Sequence, residues 1–259
     1  MKRTLRIIVL AFAAAIFNSS CSEKIDLKLK NSEPQIVIEG RLSDQPGPYS
    51  VVISKSRLYY ENNQFETLPG ALVVISDDAG NIDTLAEVAP GFHQTNLIQG
   101  VVGRTYKLSV TVEGTTYVSL CKMQPPVDID SIIFSTETEF DGTVKNRAQM
   151  IVNDPPGVQN FYRLFSPKDG YYDLHRDRLW DGKTRYFNVP HKDFLGGDTL
   201  EIELWSIDES VYNFFSTFNQ NQNNFGAPAA PANPDPVFTP AALGYFSAHS
   251  VKSKTVIIP

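Results

Sequence analysis

A strict two-residue alternation runs from Arg104 to Val112. Tyr106, Leu108, Val110 and Val112 are apolar, while Thr105, Lys107, Ser109 and Thr111 between them are polar. Only an extended strand puts residues i, i+2 and i+4 on one face, so the stretch reads as a half-buried strand and not as a helix. Glu113-Gly114 turns the chain and Thr115 to Met123 returns, which predicts a hairpin.

The same signal recurs upstream. Gln35 to Gly40 is a short apolar run, Tyr49 to Ser54 follows the turn-forming Asp44-Gln45-Pro46-Gly47-Pro48, and Ala71 to Ser76 ends in the tight-turn cluster Asp77 to Asn81. Ile82 to Val88 resumes as a partner strand. Short strands at this density, with no helical stretch between them, predict an Ig-like β-sandwich over residues 34–125. Pro125-Pro126 cannot continue a central strand and marks the expected boundary.

Residues 126–259 are also β-rich. Candidate strands are Asp130 to Thr136, Ala148 to Val152, Phe161 to Phe165, Tyr171 to Leu174, Arg185 to Val189 and Thr199 to Trp205. In the last, Leu200, Ile202 and Leu204 alternate with Glu201 and Glu203, so the glutamates read as a solvated strand face rather than a catalytic pair. One helix interrupts the pattern. Ser206-Ile207-Asp208-Glu209 has capping-box spacing with Ser206 as the cap, and Val211, Phe214, Phe215 and Phe218 follow as one apolar stripe. The fold class is therefore mainly β: two sandwiches, the second with one inserted helix. Residues 219–236, an Asn/Gln run followed by a Pro/Ala/Asn stretch, form a long irregular segment of the kind that often contacts a partner.

The N-terminus supplies an address. Lys2, Arg3 and Arg6 precede an almost unbroken apolar run from Leu5 to Phe17, followed by Asn18-Ser19-Ser20-Cys21. The run is too short for a bilayer span, which takes roughly 20 residues, and has the length of a signal-peptide core. A cysteine after two small residues is the pattern of a bacterial lipoprotein signal: residues 1–20 are removed and the Cys21 thiol is lipidated. The aliphatic residue usual three places before the cysteine is replaced by Asn18, which leaves an ordinary secretory cleavage near Ser20 as the alternative. Polar residues 21–33 read as a tether. Removal of residues 1–20 leaves 20 basic against 29 acidic residues, a net charge of −9 instead of −6. That charge argues against nucleic acid, which demands a basic surface. Cys121, in an apolar strand context, reads as a small buried hydrophobe.

The search for chemistry finds little. His93, His175, His191 and His249 form no metal-binding pair at helical or tight-turn spacing, and HExxH, P-loop, dinucleotide and nucleophile-elbow motifs are all absent. His175 lies near Asp173 and Asp177 in sequence, a grouping common on surfaces. No catalytic residue, metal or cofactor is expected. The enriched class is aromatic, with 11 Tyr, 16 Phe and 2 Trp. Tyr59-Tyr60, Tyr171, Tyr172, Trp180 and Phe225 fall in or beside predicted loops, where rings can stack on sugars or anchor an interface; sandwich cores consume aromatics as well.

A series of short motifs then carries a resemblance: Ile25-Asp26-Leu27 after Cys21, Ile36 to Gly40, Pro48 to Val51, Pro69 to Val73, Pro90-Gly91-Phe92 and Gly103 to Leu108. Asp128 to Ser131, Asn153-Asp154-Pro155, Phe161-Tyr162-Arg163, Tyr212 to Phe215 and Gly244-Tyr245-Phe246 complete it. In this order they resemble a Bacteroidota lipoprotein family defined by domain of unknown function 4249, across the whole mature chain. The stretch from Ala71 to Leu108 is also similar to the carboxypeptidase-regulatory type of sandwich. The family resemblance implies an outer-membrane lipoprotein, periplasmic or on the cell surface, often encoded beside a TonB-dependent receptor. The leading expectation is a non-enzymatic accessory partner of that β-barrel. A glycan- or peptide-binding module, with Trp180 and Tyr171-Tyr172 as stacking platform and Phe225 as a further contact, is the alternative. A hydrolase stands third.

Overall fold

The computed structural model describes residues 33–57, 66–138, 140–142, 144–190, 194–222 and 234–259. Cys21 and the predicted signal and tether residues up to 32, Tyr59-Tyr60, His191 and Phe225 lie outside them. Pro34 to Pro259 forms one compact unit.

The first half builds as the alternation requires. Strands β1 (Ile36–Ser43), β2 (Ser50–Lys55), β5 (Ala86–Ala89) and β6 (Phe92–Gln94) join one sheet, and β3 (Leu72–Asp77), β4 (Ile82–Thr84), β7 (Thr105–Val112) and β8 (Thr115–Lys122) form a second, ordered β4-β3-β7-β8. Tyr106, Leu108, Val110 and Val112 are all buried, and they share a core with Ile38, Val51 and Ile53 of the first sheet and Val73 and Ile75 of their own. Glu113 and Gly114 take φ of 49° and 78°, the pair of positive values that a tight hairpin turn needs. The stretch predicted as one strand over Ile82 to Val88 is instead two. β4 pairs with β3, the chain turns inward at buried Leu85, and β5 pairs with β6 in the opposite sheet.

The second half pairs a three-stranded sheet, β13-β10-β9 (Thr184–Asn188, Val144–Asn153, Ile129–Thr138), with strands β12 (Tyr172–Arg176), β11 (Phe161–Phe165) and β14 (Thr199–Ser206). Met150, Val152, Tyr162, Leu164, Phe187, Leu200, Ile202 and Leu204 fill the core between them. Helix α1 (Glu209–Gln222) buries Val211, Phe214 and Phe215, while Phe218 is half-exposed. Its cap differs from expectation. The Asp208 carboxylate accepts the Ser210 N–H at 3.0 Å, whereas Ser206 is still the last residue of β14 and its buried hydroxyl has no partner.

The last strand, β15 (Leu243–Ile257), corrects the expected division at Pro125-Pro126. Residues 243–249 pair in parallel with β1, and residues 250–257 pair antiparallel with β14. One strand therefore completes a sheet of each sandwich, giving the continuous order β12-β11-β14-β15-β1-β2-β6-β5. The first core also takes in Trp205, Ile207, Val211, Phe214, Phe215, Phe246 and Ala248 from beyond the proposed boundary. The architecture is two sandwiches, but they are laced together by the C-terminal strand rather than strung on a linker. Gly244 makes the lacing possible: at φ 96°, a Cβ there would lie 2.0 Å from the Ile38 carbonyl oxygen.

Candidate functional site

Two turns at one end of the second sandwich come together through the requirements of their backbones. The first leaves β10 through Asp154-Pro155-Pro156-Gly157, where the prolines end the ladder and Gly157 takes φ 78°. The second follows β12 as Asp177-Arg178-Leu179-Trp180-Asp181-Gly182, closed by the Trp180 N–H on the Asp177 carbonyl at 2.9 Å. They dock closely: a Cβ on Gly182 would lie 2.8 Å from the Pro156 Cβ.

This docking brings Asp154, Asp177 and Asp181 into one cluster, with one oxygen of each within 4.8 Å of the others. Asp154 accepts the Tyr162 hydroxyl at 2.5 Å and the Gly182 N–H at 2.9 Å; Asp181 accepts the Gly157 N–H at 2.8 Å. Asp177 is 1% exposed, and its Oδ2 has no hydrogen-bond partner. None of the three forms an ion pair among the described residues. Burial pushes the Asp177 carboxyl above its ordinary range, the Asn160 backbone N–H pulls the other way, and the charges of Asp154 and Asp181 add to the rise. At an effective dielectric of about 20, two such charges ~4.8 Å apart repel by roughly 3.5 kcal/mol. Burial and hydrogen bonding to Asp154 likewise raise the Tyr162 hydroxyl, which stays protonated as a donor. A cleft of about 620 Å³ opens over the cluster, lined by Gly157, Val158, Gln159, Arg176, Asp177, Arg178 and Asp181.

The aromatic residues singled out in the sequence scatter. Trp180 is corrected: at 9% exposure it packs in the second core against Tyr162 and Phe187, with the Arg185 guanidinium 4.7 Å over its ring, and neither face is free for a sugar. The turn that carries it tucks the indole inward. Tyr172 is half-buried; its hydroxyl donates to Asn219 at 2.6 Å and its ring meets Phe215, which ties β12 to α1. Tyr171 is exposed. The Arg163 guanidinium is buried among Tyr172, Phe215 and Trp205 at 4.3, 4.3 and 4.7 Å, a cation held by ring faces.

His175 contacts Asp173 at 3.0 Å rather than Asp177. His249 stacks on Trp205 at 4.0 Å and meets the Ser247 hydroxyl at 2.8 Å, a buried hydroxyl–imidazole pair. Burial and then the Arg163 charge push its pKa down to about 3, so the ring is neutral. Glu203 accepts the Trp205 indole N–H at 2.6 Å, and Glu201 is exposed. Cys121 is buried as expected: its Sγ accepts the Ala248 N–H at 3.2 Å and burial raises its pKa to about 12.

Sequence reasoning missed the aspartate cluster because Asp154 and Asp177 are separated along the chain and neither sits in a ligand-spaced motif. The available signal was the pair of Asp-plus-glycine turns, Asp154 to Gly157 and Asp177 to Gly182.

Compared with known families, residues 22–255 match the one described as "Domain of unknown function (DUF4249)". The chain belongs to this family. No curated protein matches this DUF4249 chain. Among solved structures, it matches a two fibronectin type-III domain segment from chicken tenascin at 12% identity, over 86% of this chain and 98% of that one, with a TM-score of 0.21. The sandwich assignment for this DUF4249 protein rests on its own sheets and cores.

Proposed function

We propose that this chain is a non-enzymatic outer-membrane lipoprotein of a Bacteroidota cell envelope and the accessory partner of a TonB-dependent β-barrel receptor in nutrient uptake. The observation that carries the reading is the N-terminal pattern: positive Lys2, Arg3 and Arg6, the apolar run to Phe17, then Cys21, with the family match starting at the next residue, 22. Acyl chains on Cys21 contribute about 0.8 kcal/mol per buried methylene, so two or more hold the body durably at the membrane where one would not. Among the described residues, Cys121, Ser247 and His249 are buried. Affinity purification of the native protein from intact membranes tests the reading. A β-barrel receptor should co-purify, and recovery of the protein without one refutes it.

The cleft over Asp177 and Asp181 favours a second reading, a surface module for a polar glycan or peptide. In that case ligand contact falls to the cleft rim, not to Trp180. Binding on a glycan or peptide array that is lost on Arg178→Ala, with the receptor interaction intact, would support it over the first.

A further inference from the structure

We propose that Asp154, Asp177 and Asp181 bind one calcium ion. The inference stands independently of the receptor reading, because it rests only on the two turns of the second sandwich. Three carboxylates share a space in which one oxygen of each lies within 4.8 Å of the others. Calcium takes oxygens at about 2.3–2.6 Å, so two of its ligands can be at most roughly 4.6–5.2 Å apart; magnesium, at about 2.0–2.1 Å, holds its ligands within roughly 4.2 Å. An upper limit of 4.8 Å lies inside calcium's span, and an all-oxygen donor set suits that hard cation.

The second observation is the state of Asp177. Its side chain is 1% exposed and Oδ2 has no hydrogen-bond partner, although buried polar atoms are almost always satisfied. A buried carboxylate oxygen with no donor, on a side chain that shares a cluster with two more carboxylates, is what a hard cation satisfies. The neighbouring donors prepare the other two ligands. Tyr162 and Gly182 orient Asp154, and Gly157 orients Asp181, which leaves lone pairs on each carboxylate for the ion. Asp181 is exposed toward the cleft and provides the entry path. Arg176 and Arg178 line that cleft but pair with none of the three; the Arg176 guanidinium lies over the Tyr212 ring at 5.9 Å. Further oxygens must come from backbone carbonyls and water, as is usual for calcium.

Bound calcium would pin the β10–β11 turn to the β12–β13 turn and thereby fix the cleft that sits over them. Terbium, which replaces calcium at oxygen sites and is sensitised by nearby rings, is the direct probe. Tyr162 hydrogen-bonds a ligand, and Trp180 lies between two of them in sequence. Titration of terbium into the full chain in detergent, excited in the aromatic band, should give saturable emission at one equivalent that calcium displaces and equimolar magnesium does not. Asp181→Asn, at an exposed position, should lower the affinity at least tenfold while near-ultraviolet dichroism stays unchanged, and Asp177→Asn should do the same or more. Absent emission, emission indifferent to both variants, or displacement by magnesium as readily as by calcium would each overturn the assignment.

Discussion

Gly244 is where the account of β15 can be broken most cleanly. The residue sits in the parallel register opposite Ile38 at φ 96°, and a Cβ placed there would fall 2.0 Å from the Ile38 carbonyl oxygen and 2.7 Å from its carbon. Gly244→Ala therefore carries two costs. The first is the positive φ, about 1–2 kcal/mol for an L-residue in a left-handed conformation. The second is separation of β15 from β1 by more than 1 Å to relieve the contact, which loosens about two ladder hydrogen bonds at roughly 1 kcal/mol each and disturbs the packing of Ile38. The sum is about 3–5 kcal/mol. For a unit of this size that lowers Tm by roughly 6–20 °C. Gly103 is the internal control: its φ is 86°, yet a Cβ there would meet nothing within 4 Å. Gly103→Ala should cost only the conformational part, about 1–2 kcal/mol. Urea melts of the two variants beside the parent, followed by tryptophan fluorescence, measure the difference. Equal destabilisation by both would refute the claim that close approach of β15 to β1 holds the two sandwiches together.

Two further outcomes follow from the cores. His249 has a folded-state pKa of about 3 against the ordinary 6.5, so between those values the unfolded chain binds one proton more than the folded one. Its contribution to stability is fully present above pH 6.5 and is lost progressively as pH falls toward 3; His249→Gln should flatten the dependence of urea stability on pH across that window, and identical slopes would contradict the assignment. Trp180→Ala should cost about 3–5 kcal/mol as a core truncation, whereas exposed Tyr171→Ala stays within about 0.5 kcal/mol. A Trp180 variant of parental stability that had lost a glycan ligand would restore the stacking platform.

The parts of the fold legible in the sequence were those where burial is one-sided. Tyr106 to Val112 and Leu200 to Leu204 alternate because each faces a core on one side and water on the other, and both strands lie where the alternation puts them. The long β15 escaped for the opposite reason. Ser247, Ala248, His249 and Ser250 are all buried, so no polar face survives to mark the period, and small polar residues in that run resemble a loop. Missing it turned a shared strand into a boundary at Pro125-Pro126. Asp83 shows the same limit: an isolated carboxylate in the sequence, it is buried and accepts the N–H groups of Asn96, Leu97 and Ile98 at 2.8, 2.8 and 3.0 Å. The aspartate cluster left only its two Asp-plus-glycine turns as a signal, because its members meet only after those turns dock. Trp180 is buried although it sits in a turn: the stretch from Asp177 to Gly182 folds the indole inward and leaves its neighbour Leu179 exposed.

The proposed partnership is tested most directly by amine-reactive cross-linking in intact membranes, with the linked peptides sequenced by mass spectrometry. Lys168, Lys183, Lys252 and Lys254 of the second sandwich and Lys55, Lys107 and Lys122 of the first give attachment points across the body. The account predicts links from the second-sandwich lysines to a TonB-dependent β-barrel, lost when Cys21→Ala removes the lipid. Links confined to this chain, with no barrel peptide recovered at any of the seven lysines, would contradict it.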